Sequence, residues 1–229
     1  MKKFFSLLLI ITLITSCGIS SKLGVTQEVK SNPETITFMG IPIDGSKRVF
    51  VQELKKKGFR YDSSGKVLVG EFNGQNVLLV VSTNKDKVDR VYVQFQPNRP
   101  SVVKNEFNIL LGQFRKNEKY AEIAANPIPD NEDIDYEITS NGKQYEAVYY
   151  ARLSDMNAFN DAAARSLAGL DISEGNHATT SDERWSRLLS ELKLGTVWFT
   201  IIPNTLSYGQ YYIGLYYDND KNRPHGEDL

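Results

Sequence analysis

Residues 67–96 read VLVGEFNGQNVLLVVSTNKDKVDRVYVQFQ, and this stretch decides the fold class. It contains three runs rich in β-branched and aromatic residues, Val67–Phe72, Val77–Ser82 and Val88–Gln96, with the turn-forming segments NGQ and TNKDK between them. In the third run apolar and polar side chains alternate, which is typical of a strand with one buried and one solvated face. Short turns between such strands predict an antiparallel meander.

Helical patterns lie on both sides of this meander. A helix is predicted to begin after Ser46, which can act as its cap, and to stop at Gly58, where a left-handed backbone ends a helix. Residues 100–114, PSVVKNEFNILLGQF, carry an apolar stripe at helical spacing and predict a second helix with Ser101 as its cap.

The remainder of the chain predicts a second half of the same kind. Strands are expected over 145–152, 197–202 and 210–218. Residues 155–170 have helix-forming composition, 171–183 is expected to be a loop, 184–193 fits a helix or a strand, and 152–194 as a whole is interpreted as an insertion. The polar segment NPIPDNEDID at 126–135 marks a boundary between the halves. The prediction is therefore an α+β fold: antiparallel meander sheets with helices packed on one face, in two similar halves at 34–125 and 126–229.

The N-terminal segment predicts where the protein is located. Two lysines precede the apolar run Phe4–Ile14, which suits a signal peptide and is too short to span a bilayer. Residues 14–18, ITSCG, resemble a bacterial lipobox, in which the cysteine becomes the N-terminus of the mature protein. The resemblance implies removal of residues 1–16, diacylglycerol and an acyl chain such as palmitate on Cys17, and a flexible tether over 17–33. An ordinary secretory peptide with an incidental cysteine is the alternative.

Features near Cys17 predict which membrane carries the protein. Gly18 stands where enterobacterial lipoproteins retained in the inner membrane tend to have Asp, which favours the outer membrane. Residues 18–25 lack an acidic run of the kind linked to surface export, so the periplasmic face is favoured over the cell surface. Because Cys17 is the only cysteine, disulfides cannot stabilise the folded part, and its stability must come from a hydrophobic core.

Composition limits the class of partner. The 27 basic and 28 acidic residues give a formal net charge of −1, which offers no basis for nucleic acid as a partner. A hydrophobic fraction of 41% with 11% aromatic residues is typical of a globular protein rather than a disordered one.

Three segments carry a resemblance to a known group of proteins. These are FMGIPIDGSKRVFVQELKKKGF at 38–59, GEFNGQNVLLVVS at 70–82 and YYIGLYYDNDKN at 211–222. They resemble uncharacterised lipoproteins of Gram-negative gut anaerobes, some of which are similar to the beta-lactamase-inhibitor-protein-like fold. The resemblance covers most of 36–120 and about the last twenty residues, and it implies helices over one face of an antiparallel sheet in tandem units. It transfers no active-site residue.

No residue pattern predicts catalysis or a cofactor. His177 and His225 lie in polar contexts without a nucleophile elbow or metal-ligand spacing, so no catalytic residue and no cofactor is assigned. Asp218, Asp220 and Asn222 resemble the start of a calcium loop and are kept as weak cation candidates, although the Gly and Glu that complete such a loop are missing.

The strongest functional candidate is the Tyr-rich strand QYYIGLYYD at 210–218. Its alternation places Tyr212, Gly214 and Tyr216 on the face away from the core, where the glycine is expected to leave a depression between the rings. The candidate binding surface consists of Tyr212, Tyr216, Tyr208 and Trp198. The alternative for this face is that helices cover it too, because strands with two apolar faces are normal in covered sheets. It predicts a non-catalytic, lipid-anchored envelope protein that binds or scaffolds a protein or a glycan. An envelope hydrolase using His177 or His225, or a protein inhibitor by fold analogy, is the alternative.

Lipid attachment is tested by metabolic labelling. Cells that make the protein and are fed radioactive palmitate should yield a labelled protein that sediments with membranes, because acyl chains on Cys17 anchor it. Cys17→Ala should remove both the label and the sedimentation. A wild-type protein without label would contradict the anchor.

Overall fold

The computed structural model describes residues 35–152 and 195–223, and both ranges fall in one compact unit. The predicted signal peptide, Cys17 and the tether lie outside these residues. The described elements, in chain order, are β1 Thr37–Phe38, β2 Ile41–Pro42, α1 Lys47–Lys56, β3 Arg60–Tyr61, β4 Leu68–Phe72, β5 Gln75–Asn84, β6 Lys87–Phe95, α2 Pro100–Lys116, β7 Tyr120–Ala125, α3 Ile134–Asn141, β8 Glu146–Ala151, β9 Gly195–Pro203 and β10 Tyr211–Asn219.

Eight of the strands form one antiparallel sheet. Its order is β3-β4-β5-β6-β10-β9-β8-β7, so the meander β3–β6 and the meander β7–β10 meet where β6 pairs with β10. The two remaining strands, β1 and β2, form a separate hairpin. The α+β class with an antiparallel meander sheet is confirmed.

The core lies between the sheet and the helices. Alternate residues of the central strands are buried, and α2 packs its rings on them: the Phe107 ring centroid lies 5.0 Å from that of Phe199, and Phe114 stacks on Tyr149 at the same distance. The largest fully buried side chains are Tyr149, Phe38, Phe50, Phe95, Phe107, Phe199, Ile43, Leu54, Leu79, Ile134, Ile213 and Leu215. Their burial supplies the apolar stabilisation that a fold without disulfides requires.

The predicted strands and helices are largely confirmed. In α1 the apolar face is buried, and the helix stops where the sequence indicates: Gly58 has φ +94°, and the Phe59 N–H donates to the Leu54 carbonyl. The cap of α2 was predicted incorrectly. Arg99 holds the cap position rather than Ser101, because Pro100 has a fixed φ suited to the first helical residue.

Besides the two-residue strands β1, β2 and β3, the sequence analysis did not predict β7 and α3. β7 has an Ala-rich sequence with a weak alternation, and the strand is bulged between Glu122 and Ala124. α3 begins within 126–135, the polar segment that the sequence predicts to be a boundary between the halves. Its cap is Asp133, whose carboxylate accepts from the N–H groups of Asp135 and Tyr136.

The order of elements repeats along the chain. α1 is followed by the four strands of the first meander, and α2 is followed by the four strands of the second, with α3 inserted after β7. The boundary between the two repeats therefore lies between β6 and α2. The boundary predicted after residue 125 lies one helix and one strand later, after β7. The predicted insertion at 152–194 lies, except for its first residue, outside the described residues and connects β8 to β9.

Two glycines provide a matched test of this packing. A Cβ added at Gly70 would lie 2.6–2.9 Å from ring carbons of the buried Phe59, whereas one added at Gly112 in α2 would meet nothing within 4 Å. We expect Gly70→Ala to lower the free energy of unfolding by about 1–3 kcal/mol through overpacking. Gly112→Ala should raise it by up to about 1 kcal/mol, because alanine is the better helix former. Urea titration measures both, and equal effects in both variants would contradict the described packing.

Candidate binding surface

The described helices pack against one face of the sheet, and the opposite face carries a row of apolar side chains. Cross-strand register aligns the members of this aromatic row, which are Val80 on β5, Tyr92 on β6, Tyr216 on β10, Trp198 on β9 and Val148 on β8. Four strand spacings of about 4.8 Å give the row a length of about 19 Å. Val80 is 37% exposed, and the other four members are half-buried.

The rings of the aromatic row stack on each other. The centroids of Trp198 and Tyr216 lie 3.8 Å apart with ring planes only 5° from parallel, and Tyr216 lies 4.7 Å from Tyr92 at 36°. Such cross-strand aromatic pairs stabilise a sheet beyond the area that they bury. Tyr216 therefore lies between the other two rings, and Trp198 and Tyr92 each turn one ring face toward it.

The depression expected at Gly214 is filled. A Cβ at this residue would lie 2.8 Å from Ile202 Cδ1 and 3.2–3.3 Å from ring carbons of Tyr92 and Tyr216. The glycine therefore lets these side chains pack down onto the sheet and does not leave a hollow between them. Burial, together with the neighbouring hydroxyls of Tyr212 and Tyr216, raises the pKa of Tyr92, so the phenol stays neutral.

A buried carboxylate holds one side of the row in place. Arg90 donates to both oxygens of Asp218, with Nε–Oδ1 2.5 Å and Nη2–Oδ2 3.0 Å, and the Trp198 indole N–H donates to Oδ2 at 2.9 Å. The hydrogen bonds from Arg90 to Asp218 raise the pKa of the guanidinium. The Arg90 guanidinium carbon also lies 5.3 Å from the Tyr216 ring centroid, within range of a cation–π contact. One acidic residue therefore orients both an aromatic ring and a cation.

The cation candidates take part in a hydrogen-bond network within the protein. Besides Arg90 and Trp198, Arg223 reaches the Asp218 carboxylate at 3.2 Å and contacts Asp220 at 3.1 Å. The Asn222 amide donates to the Val88 carbonyl at 2.8 Å and to the Asp44 carboxylate at 3.1 Å. Within residues 35–152 and 195–223, no group of three or more His, Cys, Asp or Glu side chains is arranged to hold a metal ion.

The structure brings together three of the four predicted surface residues. Trp198, Tyr216 and Tyr212 share the open face, whereas Tyr208 lies on the loop between β9 and β10 and is 98% exposed. Leu206 on the same loop is 95% exposed. The loop is braced by its own hydrogen bonds, such as that from the Asn204 N–H to the Gln210 carbonyl at 2.8 Å. Tyr208 is therefore a separate exposed feature and not a member of the row.

The sequence analysis did not assign Val80, Tyr92 and Val148 to the binding surface. The alternation in Val88–Gln96 predicts that Arg90 and Tyr92 lie on the solvated face of β6. Only the register between β6 and β10 shows that they lie beside Asp218 and Tyr216. His177 and His225 lie outside the described residues. None of the described helices has the length and apolar character needed to cross a membrane.

The Asp218 carboxylate is tested by neutralisation. Asp218→Asn should lower the free energy of unfolding by about 2 kcal/mol, because Arg90 loses a charged partner in a largely buried site. Glu53→Gln is the matched control: its ion pair with Lys56 is exposed and contributes less than about 1 kcal/mol. Chemical denaturation measures both changes, and an Asp218→Asn protein as stable as the wild type would contradict the orienting role.

Comparisons with known proteins do not identify a function for this chain. No family model matches the sequence, and neither a curated protein nor a solved structure matches it. The resemblance to lipoproteins of gut anaerobes therefore stays a prediction.

Proposed function

We propose that this chain is a non-catalytic, lipid-anchored protein of the cell envelope that binds a partner protein through the aromatic row. The observation that carries the proposal is the continuous line of side chains from Val80 to Val148 on the face opposite the described helices. Contiguous apolar groups bordered by polar ones mark interaction sites on soluble domains. The lipobox-like ITSCG motif supports an anchor at Cys17 and an envelope location.

The surroundings of the row support a protein partner. The two neighbouring lines of side chains are mostly polar. One contains Ser82, Arg90, Asp218, Thr196 and Tyr150, and the other contains Leu78, Gln94, Thr200 and Glu146. An apolar centre with a polar rim is the usual anatomy of a protein–protein interface, and Trp, Tyr and Arg are the residues most often found at its hot spots.

The stacking of the rings favours a protein over a glycan. A sugar ring stacks on a free aromatic face, whereas Trp198 and Tyr216 place their faces on each other at 3.8 Å. The row also includes the branched side chains Val80 and Val148 at its two ends. These groups suit apolar side chains of a protein, which pack without needing a flat platform.

Site-specific photocrosslinking tests the proposal. A photoreactive amino acid at Thr200, beside the row, should capture a protein in intact cells, whereas the same group at exposed Lys47 on α1 should not. Val148→Lys should reduce the capture at least tenfold, because an apolar interface disfavours a buried charge. Asn105→Lys, which adds the same charge to an exposed position on α2, should leave capture unchanged.

The remaining outcomes separate the alternatives. Capture of polysaccharide alone would replace the protein partner by a glycan, and an internal crosslink to residues 153–194 would show that the row faces the chain itself; either result contradicts the proposal. Circular dichroism and urea titration establish that Val148→Lys is folded. For the hydrolase alternative, alanine at both His177 and His225 should leave capture unchanged if the protein acts by binding.

A further inference from the structure

A second candidate site lies on the helix side of the sheet. A cleft of about 230 Å³ opens between the β1–β2 hairpin, the turn joining β4 to β5, and the C-terminal part of α2. It is lined by Thr37, Met39, Phe72, Asn73, Leu110, Gln113, Phe114, Asn117, Lys119, Tyr120 and Tyr217. This volume is below the usual range for pockets that hold drug-sized ligands, so a small molecule is the fitting occupant.

Aromatic rings form the apolar part of the cleft and fix its shape. Phe38 stacks on Phe72 at 5.1 Å and packs edge-on against Tyr217 at 5.2 Å. Phe114 packs edge-on against Tyr120 at 5.4 Å. Because these rings are held by the core, the cleft is preformed and need not be ordered by its ligand.

Two phenol hydroxyls at this cleft have no hydrogen-bonding partner among residues 35–152 and 195–223. They belong to Tyr120 and to Tyr217, which is only 6% exposed although it lines the cleft. Burial raises the pKa of Tyr120 to about 12, and burial with the nearby Tyr120 raises that of Tyr217, so both remain donors at neutral pH. Among the described residues, Asp89 Oδ1 is the only buried side-chain N or O atom without a partner, so these two hydroxyls are open to the cleft, where they can donate to a ligand.

Among the described residues that line the cleft, the polar groups are hydroxyls, amides and one amine, with no carboxylate. Lys119 follows α2 and precedes Tyr120, and it contributes the only charge among the lining residues. Asn73 and Gln113 join the β4–β5 turn to α2 by a reciprocal pair of amide hydrogen bonds at 3.0 and 3.3 Å. A site with donors, one cation and no acid suits an anionic acceptor.

We propose that this cleft binds a small carboxylic acid in its ionised form, with a short acyl or single aryl body. The apolar body lies against Phe72 and Phe114, the hydroxyls of Tyr120 and Tyr217 donate to the carboxylate, and Lys119 supplies the opposite charge. This proposal does not depend on the aromatic row, which is on the other face of the sheet. The two sites take different classes of partner.

Calorimetric titration of the purified protein tests the proposal with benzoate, phenylacetate and hexanoate as probes. We expect at least one of the three acids to bind, and the matching amide, such as benzamide, to bind at least tenfold more weakly because it carries no charge. Tyr217→Phe and Tyr120→Phe should each weaken binding of the acid about tenfold or more, since each removes a hydrogen bond to a charged acceptor.

These two substitutions are expected to preserve the fold, because neither hydroxyl is used within the described part of the chain. Tyr150→Phe, which removes a hydroxyl on the open face, is the matched control and should bind the acid like the wild type. The proposal is overturned if none of the three acids binds, if acids and amides bind equally, or if both cleft variants bind the acid with unchanged affinity.

Discussion

The pairing of β6 with β10 is the constraint on which the rest of the structure depends. Each meander alone would leave a long central strand at an edge, with a line of unpaired backbone groups open to other chains. Joining the two edges satisfies those groups and extends one core beneath both α1 and α2. The same register sets Tyr92 beside Tyr216 and Arg90 beside Asp218. Backbone hydrogen bonding between residues more than a hundred positions apart therefore assembles the surface to which we assign binding.

Local pattern predicted much of the fold. Runs of β-branched and aromatic residues between turn-forming segments located β4, β5 and β6 to within a few residues, and alternation identified the buried face of β6. β7 and α3 were missed because their sequences carry weak periodicity, and their positions depend on tertiary partners such as Tyr211, which donates to the α3 residue Asp135. The register between two strands depends on both segments, so it cannot be predicted from the sequence of either strand alone.

The candidate site was predictable to the same extent. The period of β10 placed Tyr212 and Tyr216 on the face away from the core, but it gave no sign that Tyr216 stacks between Trp198 and Tyr92. That contact favours a protein partner over a sugar, since rings that stack on each other leave less free ring face for a sugar. The cleft could not be predicted from the sequence, because its lining residues come from separate elements. Its defining feature is a pair of tyrosine hydroxyls that have no hydrogen-bonding partner among the described residues.

Neighbouring residues of β10 serve the two proposed sites. Tyr216 belongs to the aromatic row and Tyr217 lines the cleft, and successive side chains of a strand point to opposite faces of the sheet. A substitution at one of them therefore leaves the contacts of the other in place. The strand is central and paired on both sides, with β6 and β9, so it holds both tyrosines rigidly. One strand thus gives the protein a surface for a large partner and a cleft for a small one, and their effects on binding are separable.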